Sequence, residues 1–281
     1  MTKTSPICIL CSADSHCFDG ALITLLSAQK ETKRPLHIFF VTGEIKIKKK
    51  QYHALPESDL KFIESQLQRY NKNAKITCLD WTNELIEKLH QSKSFKTRFS
   101  PFSMMRLLAD FHPELGDRVL YMDIDVVVTG DLEQIFDCDL EGNDVGMVRD
   151  EVGSHWLGKN YCNSGVILMD LKRLRENHDF DLVRKKLIKN FYFMPDQTAI
   201  NRALKNKKKI MSPRFNDQHY LHEDTVIRHY CQWIKFSQFF RNVAKKPWDV
   251  EAFRKCYGPD IHRDIIEEYL ALKEEYAKIK S

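Results

Sequence analysis

The sequence predicts a single α/β domain built around a layered sheet, and three observations predict it. Short β-rich runs alternate with stretches of helical period through the first half of the chain; 43% of the 281 residues are hydrophobic, enough to bury a core; and no repeat, low-complexity segment or Pro/Gly/Ser-rich linker divides the chain. Strands are expected over residues 7–10, 36–41, 75–79, 118–122, 165–171 and 225–230, where apolar and β-branched residues cluster. Helices are expected over 20–30, 59–70, 102–110, 179–190, 196–204 and 261–279. In the second of these, Leu60, Ile63, Leu67 and Tyr70 recur at helical spacing, with Lys61, Glu64, Gln68 and Arg69 on the opposite face, so the apolar stripe faces a core. Ser100-Pro101 opens the third, since proline is tolerated in a first turn.

Composition excludes several classes. Charged residues make up 30% of the chain, too balanced for disorder, and the net charge of +5 is mild, so nucleic acid is not an expected partner. The apolar run at 7–11 is too short for a signal peptide or a membrane span, which predicts a cytoplasmic protein. In that setting the eight cysteines are expected to stay reduced. Cys8 and Cys11 form a C-x-x-C, but residues three apart on a strand point to opposite faces, which favours packing over metal binding. The basic clusters at 46–50 and 205–209 read as solvated surface.

The strand at 118–122 runs straight into Asp123, so an acidic pair, Asp123 and Asp125, stands at its carboxyl end, where open α/β sheets bind ligands. With Ile124 turned inward, an extended segment directs both carboxylates to one side, a geometry suited to one hard divalent cation. The flanks L-Y-M and V-V-V are apolar enough to be buried, and two buried carboxylates repel each other unless a cation offsets them. Such a cation also binds a diphosphate and assists its departure.

Around this pair the sequence resembles family 8 of the glycosyltransferases, retaining enzymes that include bacterial lipopolysaccharide galactosyl- and glucosyltransferases and, more distantly, glycogenin. The resemblance is carried by R-V-L-Y-M-D-I-D-V-V-V at 118–128, C-N-S-G-V-I-L-M-D at 162–170 and P-D-Q-T-A-I-N at 195–201, with S-A-D at 12–14 and Arg106 in S-x-x-R-L upstream. It implies a Rossmann-like domain of the GT-A type, with a mixed central sheet and a helical C-terminal appendage. A catalytic domain over 1–250 and an appendage over 251–281 are expected.

The resemblance also implies roles. Asp14, flanked by Ser12 and Ala13, matches the carboxylate that accepts from the uracil N–H; Ser12 and Asp14 also suit a helix cap. Arg106 matches an arginine near sugar and diphosphate, with a structural salt bridge as its alternative. Asn163, with Ser164 and Gly165, matches an asparagine that contacts sugar hydroxyls, against the alternative of a turn before a strand. Asp196 accepts from donor-sugar hydroxyls and Gln197 lies beside the anomeric carbon; these two are the expected catalytic residues, although Asp196 after Pro195 also fits an ordinary helix start. His229 would complete a metal site with Asp123 and Asp125, Ile124 lying between them, and imidazole beside two carboxylates favours Mn²⁺ over Mg²⁺.

The chain departs from the family after His229, where relatives continue H-x-x-G-x-x-K-P-W and this chain has Gln232 at the glycine position. Either Lys235 or, across an insertion, Lys246 of Lys246-Pro247-Trp248 holds the diphosphate; the preserved tripeptide favours Lys246. Residues 231–246 mix Trp233, Phe236, Phe239 and Phe240 with Lys235, Arg241, Lys245 and Lys246, a composition suited either to peripheral contact with the inner face of an anionic membrane or to a core-covering helix. Cys17 stands where some relatives carry an aromatic residue against the base. A UDP-galactose or UDP-glucose donor and a glycan or glycolipid acceptor in lipopolysaccharide or cell-surface polysaccharide synthesis are expected. Two alternatives remain: D-I-D-V-V-V also fits the nucleophile motif of haloacid-dehalogenase phosphohydrolases, and a non-catalytic UDP-sugar-binding protein would keep the same fold.

Overall fold

The computed structural model describes residues 5–47, 49–93, 100–231, 234–235, 241–242 and 244–280. The chain begins β1 (Ile7–Ser12), α1 (Phe18–Glu31), β2 (Leu36–Val41), a small hairpin of β3 (Ile45–Ile47) and β4 (Lys50–Tyr52), α2 (Glu57–Leu67), β5 (Lys75–Leu79) and α3 (Thr82–Leu89). After a 3₁₀ segment (Pro101–Phe111) come β6 (Arg118–Met122), β7 (Val126–Val128), α4 (Glu133–Phe136), β8 (Val145–Arg149), α5 (Gly153–Trp156) and β9 (Cys162–Asp170). The remainder is α6 (Leu171–Glu176), α7 (Asp179–Lys189), α8 (Pro195–Ala203), β10 (Lys208–Ile210), β11 (Ile227–His229), the two-residue strands β12 (Ile234–Lys235) and β13 (Arg241–Asn242), α9 (Val250–Tyr257) and α10 (Arg263–Lys280).

Seven strands form one sheet in the order β10-β8-β9-β6-β1-β2-β5. All its pairings are parallel except those of β9, which runs against both β6 and β8, so the sheet is mixed as expected. Strand residues divide by period two between two cores. Ile7, Ile9, Cys11, Leu36, Ile38 and Phe40 face α1, α2 and the C-terminal helices, whereas Leu10, Phe39, Val41, Val119 and Tyr121 face the 3₁₀ segment and α7. Cys11 is buried, Cys8 half-buried, and all eight cysteines are free thiols.

The topology brings the carboxyl ends of β1, β6 and β8 to one edge, together with the amino end of the reversed strand β9. At that edge the chain leaving β6 turns at Ile124 and Asp125 and continues as β7, outside the main sheet. The acidic pair thus spans a turn rather than the expected extended segment, because β7 is drawn away to α1. Thr24 Oγ donates to the Val126 carbonyl at 2.8 Å and the Val128 amide donates to Ser27 Oγ at 3.1 Å. There β7 pairs antiparallel with β11, and His229 falls opposite Val126.

Several elements differ from expectation. The helix expected at 102–110 forms over Pro101–Phe111 as 3₁₀ winding, with Ser100 as its cap. Strand β9 starts at Cys162, three residues early, which places Asn163 inside the strand instead of in a turn before it. The strand expected at 225–230 is three residues long. The C-terminal helix follows a separate short one, and Phe253, Ile265, Ile266, Tyr269 and Leu272 join the core on the α1 side.

Candidate active site

Strand ends position most of the site residues; the 3₁₀ segment carries Arg106 and the start of α8 carries Asp196 and Gln197. At the end of β1, the Ser12 hydroxyl donates to the Phe102 carbonyl at 2.8 Å, which fixes the 3₁₀ segment over the strand, and Ala13 is buried. Asp14 caps the short turn Ser15–Cys17: its Oδ1 accepts from the His16 amide at 3.0 Å and lies 3.3 Å from His16 Nδ1. The capping alternative is therefore realised, and it leaves the second carboxylate oxygen for another donor. Cys17 Sγ sits 3.7 Å from the same Oδ1.

At the end of β6, Asp123 Oδ1 accepts from the Tyr121 hydroxyl at 2.7 Å and from Arg106 Nη2 at 2.8 Å. Arg106 is 2% exposed, its Nε donates to the Ser103 carbonyl at 2.7 Å, its Nη1 donates to the Ser164 carbonyl, and its guanidinium lies 4.0 Å over the Tyr121 ring. Its Nε is also 3.5 Å from Asp196 Oδ2, so one buried cation joins the Asp123 carboxylate to that of Asp196. Burial lowers the affinity of this guanidinium for its proton, but Asp123 and Asp196 outweigh that and leave Arg106 firmly charged.

The three expected metal ligands converge. Ligand atoms of Asp123, Asp125 and His229 lie within 4.8 Å of one another, with His229 Nε2 at 3.0 Å from Asp125 Oδ1 and 4.0 Å from Asp123 Oδ2. Asp123 is pushed up by burial, against Arg106. Asp125 also feels burial, but Lys246 and His229 outweigh it and hold the carboxyl well below the usual range. Two carboxylate oxygens and one imidazole nitrogen form a donor set that suits Mn²⁺, so the residues present fit the expected ion.

Gly165 makes the convergence feasible. A Cβ there would stand 2.1 Å from His229 Cε1, 2.8 Å from Nδ1 and 2.9 Å from Asp123 Oδ2. The sequence suggests that this glycine lets backbone approach a ligand; in the structure the close neighbour is the His229 ring.

On the other side of Asp123, at the start of α8, the Ser164 hydroxyl donates to Asp196 Oδ2 at 3.2 Å and the Ser164 amide donates to Gln197 Oε1 at 3.1 Å. Gln197 Nε2 donates to Asp150 Oδ2 at 3.0 Å, and Asn163 Nδ2 donates to the same oxygen at 3.2 Å. Asp150, just beyond the end of β8, was not expected from the sequence, although its position after V-G-M-V-R follows the same strand-end rule that singled out Asp123. Gln218 secures its loop, donating to the Arg149 carbonyl at 2.9 Å and accepting from the Glu151 amide at 3.2 Å. Asn216 is likewise new: it is buried and hydrogen-bonds both Asn163 and His229.

Lys246 reaches the site from the far side of the altered segment. Its Nζ donates to Asp125 Oδ2 at 2.5 Å and to the Tyr230 carbonyl at 2.7 Å, and Trp248 packs toward Gly20 and Ile124. The side chain of Lys235 and most of residues 231–246, the expected membrane contact, lie outside the described residues. Among the described residues no helix is long and apolar enough to cross a membrane. Beside Asp150 opens a cavity of about 400 Å³ lined by Arg149, Glu151, Ser154, His155, Asn216 and His219, among others.

Comparison with known proteins extends this picture. A probable glycosyl transferase Gly of Streptococcus gordonii is 41% identical over 85 residues, 30% of this chain and 12% of that protein. A lipopolysaccharide 1,2-glucosyltransferase of Escherichia coli K12 is 30% identical over 152 residues, 47% of this chain and 44% of the relative. In these alignments the chain spans less than half the length of either relative. The crystal structure of the galactosyltransferase LgtC, in complex with donor and acceptor sugar analogues, superposes with a TM-score of 0.69 at 20% identity, covering 93% of this chain and 96% of that one, so the fold is the GT-A arrangement. The family model described as Glycosyl transferase family 8 matches residues 8–252, and the chain belongs to that family.

Proposed function

We propose that the protein is a metal-dependent, retaining hexosyltransferase that moves galactose or glucose from a UDP-sugar to a glycan or glycolipid acceptor. The observation that carries this reading is one continuous polar wall: Asp125, His229 and Asp123 at one end, Arg106 in the middle, Asp196 and Gln197 at the other. A diphosphate needs cationic partners and a departing sugar needs hydroxyl acceptors a few ångströms further along, and the wall offers both in that order. Family membership sets aside the phosphohydrolase reading of the same acidic pair.

Asp123, Asp125 and His229 would hold Mn²⁺, with Mg²⁺ as the second choice. Bound there, the ion supplies Lewis acidity toward the leaving diphosphate. The chain's own residues do the rest. Asp14 accepts from the base, Lys246 transfers its ammonium from Asp125 to the diphosphate, and Arg106 holds Asp123 and Asp196 at a fixed separation. Asp196 accepts from sugar hydroxyls. Gln197, whose Nε2 is drawn toward Asp150, turns its amide oxygen to Ser164 and so is held in one orientation beside the sugar. An amide is a weak nucleophile, which favours front-side attack guided by the leaving phosphate over a double displacement. The cavity beside Asp150 is the right size for an acceptor saccharide, and its Glu151, His155 and His219 provide hydrogen-bonding groups. A lipopolysaccharide or other cell-surface acceptor is favoured by the name of the Escherichia coli relative. It would place the enzyme on the cytoplasmic side, with residues 231–246 as the proposed peripheral membrane contact.

The test is UDP release from a panel of UDP-sugars, with Mn²⁺ or with chelator, in the wild type and in Asp125→Ala. Release that needs Mn²⁺, prefers one hexose and is lost in the variant supports the reading. Metal-dependent UDP binding without release, in the presence of glycan acceptors, would favour a non-catalytic binding protein.

A further inference from the structure

The buried contacts behind His229 form a chain in which every hydrogen has a determined direction. It begins at the Gly165 amide, which can only donate, and its partner is Asn163 Oδ1 at 2.8 Å. That identifies the oxygen end of the Asn163 amide, and its nitrogen end correspondingly donates to the Asp150 carboxylate. The group 3.0 Å from Asn163 Oδ1 on the other side must then be a donor, which makes it Asn216 Nδ2. Asn216 Oδ1 is thereby turned to His229 Nδ1 at 2.9 Å, and Nδ1 must carry the hydrogen. A ring that ligates a metal must be neutral, and with the hydrogen on Nδ1 its lone pair is then on Nε2, the atom that faces Asp125 and Asp123.

We propose that Asn216 is a positioning residue for the metal site: through the chain Gly165 N–H, Asn163, Asn216 and His229 it fixes the imidazole tautomer and ring orientation that ligation requires. The inference rests on the reading of Asp123, Asp125 and His229 as ligands. Asn216 suits the role because it cannot turn away. It is 1% exposed, it follows the short 3₁₀ turn Pro213–Phe215, its amide donates to the Pro213 carbonyl at 3.0 Å, and its own carbonyl accepts from Gln218 at 3.2 Å. Reversing the Asn216 amide would set two acceptors against each other at Asn163, so the orientation is determined from the Asn163 end. Because Asn163 also donates to Asp150, which accepts from Gln197, the same chain ties the metal ligand to the sugar side of the site.

The experiment uses the full chain and Mn²⁺ alone, without a donor sugar. Mn²⁺ affinity is measured by electron paramagnetic resonance, and pulsed detection of a directly coordinated ¹⁴N reports the His229 ligand. Asn216→Ala is expected to weaken Mn²⁺ binding by about 10–100-fold, the usual effect of losing such an outer partner, and to diminish the nitrogen coupling. Asn216→Asp still accepts from Nδ1–H, so it is expected to keep affinity within about threefold. It sets an oxygen against Asn163 Oδ1, however, so KM for the donor sugar should rise. Equal weakening in both variants, or Mn²⁺ affinity and nitrogen coupling unchanged in Asn216→Ala while His229→Ala loses both, overturns the proposal and spares the metal site. If His229→Ala retains affinity and coupling, the metal-site reading itself fails and the proposal with it. Should Asn216→Ala not fold, Asn216→Asp decides alone: a loss beyond about tenfold overturns the inference.

Discussion

Gly165→Ala tests how closely the site is assembled. Gly165 is not among the residues with positive φ, so alanine brings no conformational strain of its own, and any effect must come from contact. The added methyl would stand 2.1 Å from His229 Cε1, short of an ordinary carbon–carbon contact of about 3.5 Å by about 1.4 Å. The ring cannot rotate freely to make room, because Nδ1 is held at 2.9 Å by Asn216 and the residue is 2% exposed. Displacing Asp123 instead would break its bond with Arg106. Overpacking of this kind costs about 1–3 kcal/mol in stability, and a shift of about 1 Å in a reacting constellation costs on the order of 100-fold in rate. Gly165→Ala is therefore expected to lower Mn²⁺-dependent UDP release by at least ~30-fold while the protein still folds, with Tm lowered by a few degrees. UDP release kinetics across a Mn²⁺ titration and a thermal melt measure both. Release within about threefold of the wild type would show that the ring is not confined as described, and the argument would fail.

Three further outcomes are expected. Asp150→Asn leaves a donor facing a donor whichever way the amide is turned, because one carboxylate oxygen accepts from Asn163 and Gln197 and the other from the Gly153 amide. A loss of about 10–100-fold in kcat is expected, and an effect below twofold in steady-state assays would refute the role given to Asp150. Lys246→Met frees Asp125 of its ammonium, so Mn²⁺ alone should bind more tightly while KM for the UDP-sugar rises; movement of both constants in one direction would count against it. Burial, together with the neighbouring Asp179, pushes the Asp144 carboxyl up to about 6. Its folded value lies above its unfolded one, so the stability it contributes is present below the unfolded value and is lost as pH rises through about 6. Asp144→Asn should flatten that part of the Tm–pH profile, and parallel profiles for variant and wild type would refute the assignment.

What the sequence disclosed, and what it did not, follows from the range of the forces involved. The sheet strands at 36–41 and 118–122 are legible because both faces are buried and the runs are accordingly apolar, whereas the strand at 75–79, at the sheet edge, is legible from its β-branched residues Ile76 and Thr77. Strand β8 is not, since V-G-M-V-R is interrupted by a glycine at its second position, and β10, K-K-I at the sheet edge, has no apolar pattern to detect. Asp123, Asp125 and His229 are visible through motifs around them. Asn216 and Asp150 hold that set through contacts with partners 13 to 53 positions away, and no local pattern encodes such a distance. The turn at Asp123 to Asp125 is not legible in the sequence for the same reason: the pull on β7 comes from Thr24 and Ser27, about one hundred residues earlier.

The two central carboxylates are neutralised in different ways, and the difference bears on the order of events. Arg106 is bound to Asp123 from a rigid seat, with two carbonyls and a tyrosine face holding the guanidinium in place. Lys246 is bound to Asp125 from beyond β11, with the Tyr230 carbonyl as the other partner of its ammonium among the described residues. If Asp125 is a metal ligand, a divalent cation binding alone would compete with the Lys246 ammonium for its carboxylate, which would oppose binding. A cation arriving with a diphosphate leaves that ammonium a new anion within reach. By linkage, whatever the diphosphate adds to the affinity of the cation, the cation adds equally to that of the diphosphate. The sign expected for Lys246→Met follows directly, because on the proposed roles removing the ammonium would remove the competitor for the metal and the partner of the diphosphate in one step.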